Sequence, residues 1–413
     1  MSADAPRRLL IRDLAQLVTP AGSDAPLRGR ALGELDRIDG AYVLCAGGTI
    51  EAVGRMVDLK PLAGEVEELD GRGLCAVPGL VDCHTHACFA GDRVDEFSLR
   101  AAGASYEELH AAGSGILSTV RATRAAGEEA LVAAVERHRG WMQRAGTTTF
   151  EAKSGYGLDR ETELAQLRAI RAAGGVPTFF GAHAVPPEHD DGDAYLDFLL
   201  AEVLPDAAAL AEAADVFLER GAFSAAQAGR YLEACRDAGL ALRLHGDQFT
   251  EAGAIALAVE LGARSVDHLE ATGPDGVRTL AASGVVGCLL PASALVLGRP
   301  MPPARALVDS GAAIALATDF NPGSSFCESL PLVCSLAATQ LRLSPAEALA
   351  AFTVNAAHVL ARADRIGRLA PGFAADVTLL GAPDWRYLAY HLGGNVVAGV
   401  VSGGALNRPL GAY

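Results

Sequence analysis

The sequence has no Cys-x-x-Cys pair, no Lys- and Arg-rich stretch of the kind a phosphate backbone requires, no internal repeat and no low-complexity linker. Its eight cysteines (Cys45, Cys75, Cys83, Cys88, Cys235, Cys288, Cys327 and Cys334) are scattered over 413 residues. A chain of that length needs no disulfides, so they read as reduced core thiols. With 34 basic against 50 acidic side chains, a net charge of −16, the chain lacks the basic stripe that a phosphate backbone requires. Nucleic acid is excluded as a partner. Residues 279–298 carry no charge, but Gly284, Gly287 and Pro291 interrupt them; they read as a buried strand followed by a small-residue loop rather than a membrane span. Near the start, Arg7, Arg8, Arg12, Arg28 and Arg30 interleave with Asp4, Asp13 and Asp24, and no apolar core follows. This reads as a mature cytoplasmic start.

What is present is an apolar-rich globular composition, 50% hydrophobic and 20% charged. Short β-segments at 8–12, 41–45 and 48–53 lack helical periodicity, and 375–380 and 394–401 look alike. Both ends, 1–75 and 363–413, are therefore expected to pair into one small composite β-sandwich domain. Between them, 76–362 alternates apolar runs with helical stretches at 128–144, 161–173 and 225–238. Eight strand candidates are counted: 79–86, 147–153, 177–183, 216–220, 240–245, 265–269, 285–290 and 313–318. Eight βα units predict an α/β fold, a (β/α)8 barrel with its chemistry at the strands' C-terminal ends.

Ionisable residues stand where those strands stop. His84 and His86 are spaced i, i+2, on one face of a strand. His245, His268 and Asp319 end the fifth, sixth and eighth candidates. Three imidazoles and a carboxylate suit zinc or iron, whereas magnesium and calcium prefer all-oxygen shells. The expected ligands of one metal ion, divalent or trivalent, are His84, His86, His245 and Asp319. A carboxylate touching the metal also touches its water, so Asp319 is expected to carry the proton to the leaving group.

The run 78–86 (Pro-Gly-Leu-Val-Asp-Cys-His-Thr-His), with the later histidines and Asp319, resembles the amidohydrolase superfamily of metal-dependent hydrolases. Longer blocks narrow the resemblance to a branch that opens a cyclic amide: 84–93, Ala104-Ser-Tyr-Glu-Glu, 113–124, 151–158, 181–188, 245–248 and 318–324. The resemblance implies hydrolysis of a ring C–N bond in an anionic imidazolone, in a homodimer. His268 would orient water or stabilise an oxyanion. Arg93 would clamp the substrate carboxylate with two parallel hydrogen bonds. Tyr156 and His183 match substrate-contact positions. Asn321, Gly323 and Ser324 would offer an amide and backbone N–H groups. Gln248 stands where the family has Glu or Gln, and a neutral amide can only hydrogen-bond. Lys153 lies on the second strand candidate rather than the fourth, so it is not expected to bridge two metals. A deaminase acting on a ring or amidine, or a silent scaffold, are the alternatives.

The remaining polar features read as ordinary ones. Asp159, Glu161 and Glu163 start a helix as solvated acids, His110, His138, His189, His358 and His391 lie outside the metal pattern, and Trp141 packs in the core.

Overall fold

A computed structural model describes residues 8–22, 24–103 and 115–408; the block 104–108, His110, Gly113 and Ser114 lie outside the described residues. The N-terminal strands are β1 (Arg8–Pro20), β2 (Leu35–Ala46), β3 (Thr49–Arg55), β4 (Glu67–Asp70) and β5 (Cys75–Pro78). The C-terminal ones are β14 (Val377–Leu380), β15 (Val397–Ser402) and β16 (Ala405–Arg408). All eight belong to one sheet in the order β16-β15-β14-β5-β1-β2-β3, with β4 paired to β1. The two ends of the chain meet where β14 runs antiparallel to β5, Val377 opposite Pro78 and Leu380 opposite Cys75.

The second sheet is the barrel: β6 (Leu80–Asp82), β7 (Thr147–Lys153), β8 (Val176–Ala182), β9 (Ala213–Leu218), β10 (Ala241–Gly246), β11 (Ser265–His268), β12 (Val286–Leu289) and β13 (Ala313–Leu316), adjacent in chain order. Every paired neighbour is parallel. Just past β6 and β13 the ends of the sheet touch. Thr85 and Phe320 form a parallel bridge, Asp319 N–H donates to the His84 carbonyl (3.1 Å), and His86 N–H donates to that of Phe320 (2.9 Å). One residue, Gly79, separates the two sheets. A Cβ there would sit 2.2 Å from Thr148 Oγ1, so only glycine permits the approach.

The apolar core lies between the strands and their helices. On β10, Leu242 and Leu244 pack with Tyr231 and Leu232 of the helix Ala225–Asp237, while Arg243 and His245 bond to groups inside the barrel. This is the period-2 alternation of a strand buried on both faces. The helix expected at 128–144 is the second part of Ile116–Arg144, which kinks at Gly127 (φ 74°). Residues 279–298 differ from expectation. After β12 they form a short helix, Pro291–Val296, not a loop, because proline fits the first helical turn, where its missing N–H costs nothing. Among the described residues no helix is long and apolar enough to cross a membrane. All eight cysteines are free, and seven are buried.

Candidate active site

At the strand ends the expected ligands converge. His86 Nε2 lies 3.3 Å from His245 Nε2, and Asp319 Oδ1 lies 3.5 Å from His84 Nε2 and 3.4 Å from His86 Nε2. One nitrogen of each of the three imidazoles falls within 4.8 Å of the others. His84 Nδ1 is 2.6 Å from Asp267 Oδ2, and His245 Nδ1 is 3.0 Å from Asp215 Oδ1. Each carboxylate holds the proton on Nδ1 and turns the Nε2 lone pair inward. Burial pushes the His86 imidazole below its ordinary pKa and that of His245 well below, so both are neutral. Burial also opposes ionisation of Asp319, but the contacts from His84 and His86 outweigh it and hold this carboxyl well below the usual range. His84 Nε2 has no hydrogen-bond partner among the described residues and is gathered with the Nε2 atoms of His86 and His245 and with Asp319 Oδ1, an arrangement of donor atoms that a cation would complete. The donor set fits a metal of the zinc or iron kind.

The backbone is bent around this point. Asp247 (φ 53°), His268 (φ 85°), Leu269 (φ 72°) and Asp319 (φ 54°) all occupy the left-handed region, which costs a non-glycine residue on the order of 1–3 kcal/mol. At β11 the consequence is direct. Asp267 and His268 are consecutive, yet Asp267 bonds to His84 while His268 lines the cavity described below. Burial lowers the His268 pKa, but Glu270, 3.5 Å from its Nδ1, and Asp319 outweigh burial and raise it.

Beneath the imidazoles lies a layer of buried charges that the sequence reading missed. Lys153, one of only two lysines in the chain, places Nζ 2.8 Å from Glu151 Oε1 and 3.0 Å from Asp215 Oδ2. Arg243 donates to Asp267 Oδ2 (2.8 Å), to the Cys83 carbonyl (2.7 Å) and to Ser265 Oγ (3.1 Å), and lies 3.3 Å from Glu151. Two cations, bridged by Glu151, thus hold Asp215 and Asp267, the two acids that orient His245 and His84. Lys153 is on β7, the second barrel strand, and is tied up in these ion pairs. The available signal was alternation: Glu151 with Lys153 and Arg243 with His245 share a strand face at i, i+2.

Above the imidazoles is a cavity of about 520 Å³. It is lined by His86, His245, His268 and Asp319, and by all seven residues expected to touch substrate: Arg93, Tyr156, His183, Gln248, Asn321, Gly323 and Ser324. Arg100, Phe217 and Phe249 line it too, and the sequence reading did not single them out. His183 Nδ1 donates to the Gly155 carbonyl (2.9 Å), leaving Nε2 as an acceptor, and burial pushes its pKa down to about 3. Its ring stacks on Phe180 with centroids 4.4 Å apart, and the Tyr156 ring is 5.5 Å away.

The 319–324 turn departs from expectation. Asn321 Oδ1 accepts from the N–H groups of Gly323 (2.8 Å) and Ser324 (2.7 Å), and its Nδ2 donates to the Asp319 carbonyl (2.6 Å). The amide and the two N–H groups are satisfied within the turn. Asn321 shapes the wall of the cavity rather than offering free donors. Glu163 also differs from the solvated acid expected. It is fully buried and accepts the N–H groups of Gly155 (3.0 Å), Gly157 (2.9 Å) and Leu158 (2.9 Å), which closes the loop carrying Tyr156. Glu163→Ala is expected to lose about 2–5 kcal/mol in denaturant unfolding, because it strands three buried donors. Unchanged stability would mean the loop closes without it. Asp159 caps the same helix, Arg160–Ala172, and Glu161 is exposed as expected. His138 is buried and satisfied, its Nδ1 2.8 Å from the Ala87 carbonyl.

The model of the amidohydrolase family matches residues 75–406. The imidazolonepropionase of Rubrobacter xylanophilus is 62% identical over 97% of this chain and 99% of its own. That of Herpetosiphon aurantiacus is 47% identical over 97% of each, and that of Porphyromonas gingivalis 42% over 96% of each. Among solved structures, a zinc-bound adenosine deaminase from Xanthomonas campestris superposes with a TM-score of 0.72 over 98% of this chain and 94% of its own. At 19% identity it speaks for the fold alone. The chain belongs to the amidohydrolase family, whose members are metal-dependent hydrolases. Within that family it belongs with the imidazolonepropionases.

Proposed function

We propose that this site hydrolyses the ring amide C–N bond of 4-imidazolone-5-propanoate, releasing N-formimidoyl-L-glutamate, a step of histidine degradation. The observation that carries the reading is the meeting of His84, His86, His245 and Asp319 beneath a cavity whose rim holds guanidinium groups. A zinc or iron ion held by those four side chains would supply Lewis acidity, lowering the pKa of a water and polarising a carbonyl. Asp319, held as a carboxylate, accepts a proton from the attacking water and returns it to the ring nitrogen as the C–N bond breaks. The water's oxygen ends in the new carboxylate. His268, whose neighbours favour its charged form, donates toward the oxygen on which negative charge develops. Tyr156 and the His183 acceptor orient the ring, Gln248 hydrogen-bonds without acting as a base, and Arg93 faces the propionate. A homodimer is part of the proposal, read by sedimentation.

The test is loss of ultraviolet absorbance from freshly generated 4-imidazolone-5-propanoate, with and without a chelator, with ammonia assayed in parallel. Chelator-sensitive ring opening without ammonia is the expected result. No turnover by metal-loaded protein would overturn the substrate assignment, and ammonia release would point to a deaminase.

A further inference from the structure

We infer that Arg100, a residue outside the expected contact set, supplies the uncancelled positive charge that selects an anionic substrate, whereas Arg93 is electrically neutralised where it stands. The inference rests on the reading just given. Arg93 precedes the helix Val94–Ala101, and its Nε and Nη2 are committed to Glu96 at 2.8 and 2.5 Å. Glu96 is buried, and its Oε2 also accepts the Gly115 N–H at 2.8 Å, so this pair is closed and its net charge is zero. What Arg93 still offers is the direction of its remaining N–H groups.

Arg100, two turns further along the same helix, lines the same cavity. It donates from Nη2 to a neutral acceptor, the Gly323 carbonyl, at 3.1 Å, and among the described residues it forms no ion pair. Gly323 lies between the two guanidiniums. A Cβ on it would sit 2.2 Å from Arg93 Nη1, so a bare backbone at this position lets both groups reach the turn. Together Arg93 and Arg100 carry two positive charges against the one carboxylate of Glu96, which both act on but only Arg93 touches, so one charge is left to meet one carboxylate. In a chain of net charge −16 that local charge is what offsets repulsion of an anion. Charge-assisted hydrogen bonds from a guanidinium are roughly twice as strong as neutral ones, which gives the discrimination its size.

The test compares the propionate substrate with the same ring carrying a propionamide. Arg100→Gln is expected to raise KM for the propionate by about 10–100-fold while leaving kcat and turnover of the propionamide nearly unchanged. Arg100→Lys, which keeps the charge, is expected to stay within several-fold of the wild-type KM, and it serves also if the Gln variant fails to fold. Adding Glu96→Gln to Arg100→Gln frees the charge of Arg93 and should recover most of the lost affinity. The inference is overturned if Arg100→Gln leaves KM for the propionate unchanged while Arg93→Ala raises it, since Arg93 alone would then read the carboxylate. It is overturned as well if Arg100→Gln weakens both substrates alike, because that loss is one of shape. Wild-type enzyme that turns over both compounds with equal KM would instead sink the anionic-substrate reading itself.

Discussion

Asp319→Asn is expected to lower kcat by about 10²–10⁴-fold, the usual contribution of a positioned proton carrier. The replacement is close to isosteric, so the cavity should keep its shape. The carboxylate sits just past β13 with its backbone in the left-handed region, and its Oδ1 lies within 3.5 Å of two imidazole nitrogens. An amide placed there can still face a cation through its oxygen but cannot take up a proton. Weakened metal binding would produce a similar loss, so the rate has to be read at measured metal content and again with metal in excess. A deficit that survives full loading belongs to proton transfer. Near-normal kcat in fully loaded Asp319→Asn would remove this residue from that role and turn attention to His268, which lines the same cavity.

The strand ends were legible because β-strands buried on both faces are apolar by necessity, so a polar residue that closes such a run is conspicuous. The strand 147–153 has the expected bounds, and His84, His86, His245, His268 and Asp319 all emerged this way. Other features were hidden for reasons equally physical. β1 and β2 extend far beyond the apolar cores at 8–12 and 41–45, because backbone pairing from Gln16–Asp39 to Pro20–Leu35 needs no apolar alternation. Asp267 meets His84 across 183 residues of sequence, and Asp215 meets His245 across 30, distances over which no local pattern operates. Glu163 looked like any acid at a helix start until the loop it closes was seen folded back onto it. Arg93 was found through the block around it, but its neutralisation by Glu96 and the exposure of Arg100 to the cavity depend on how one short helix is docked.

Arg243→Met is expected to lose about 3–5 kcal/mol in denaturant unfolding. Arg243 is 1% exposed, and its removal leaves Lys153 as the remaining cation among Glu151, Asp215 and Asp267. Methionine fills much of the space, so the cost arises from stranded carboxylates rather than from a cavity. Apparent metal affinity, measured by competition with a chromophoric chelator, should fall by about 10–100-fold, because Asp267 is freed to move and with it the ring of His84. The two effects separate in the double variant. Arg243→Met with Asp267→Asn removes one uncompensated charge and should recover part of the stability, yet a neutral amide orients His84 poorly and metal affinity should stay low. If Arg243→Met unfolds at the wild-type midpoint, the buried carboxylates have found other compensation and the charge layer does not hold the site together. If stability falls but metal affinity does not, His84 is oriented by its place after β6 alone, and Asp267 is a partner of Arg243 first and of the imidazole second.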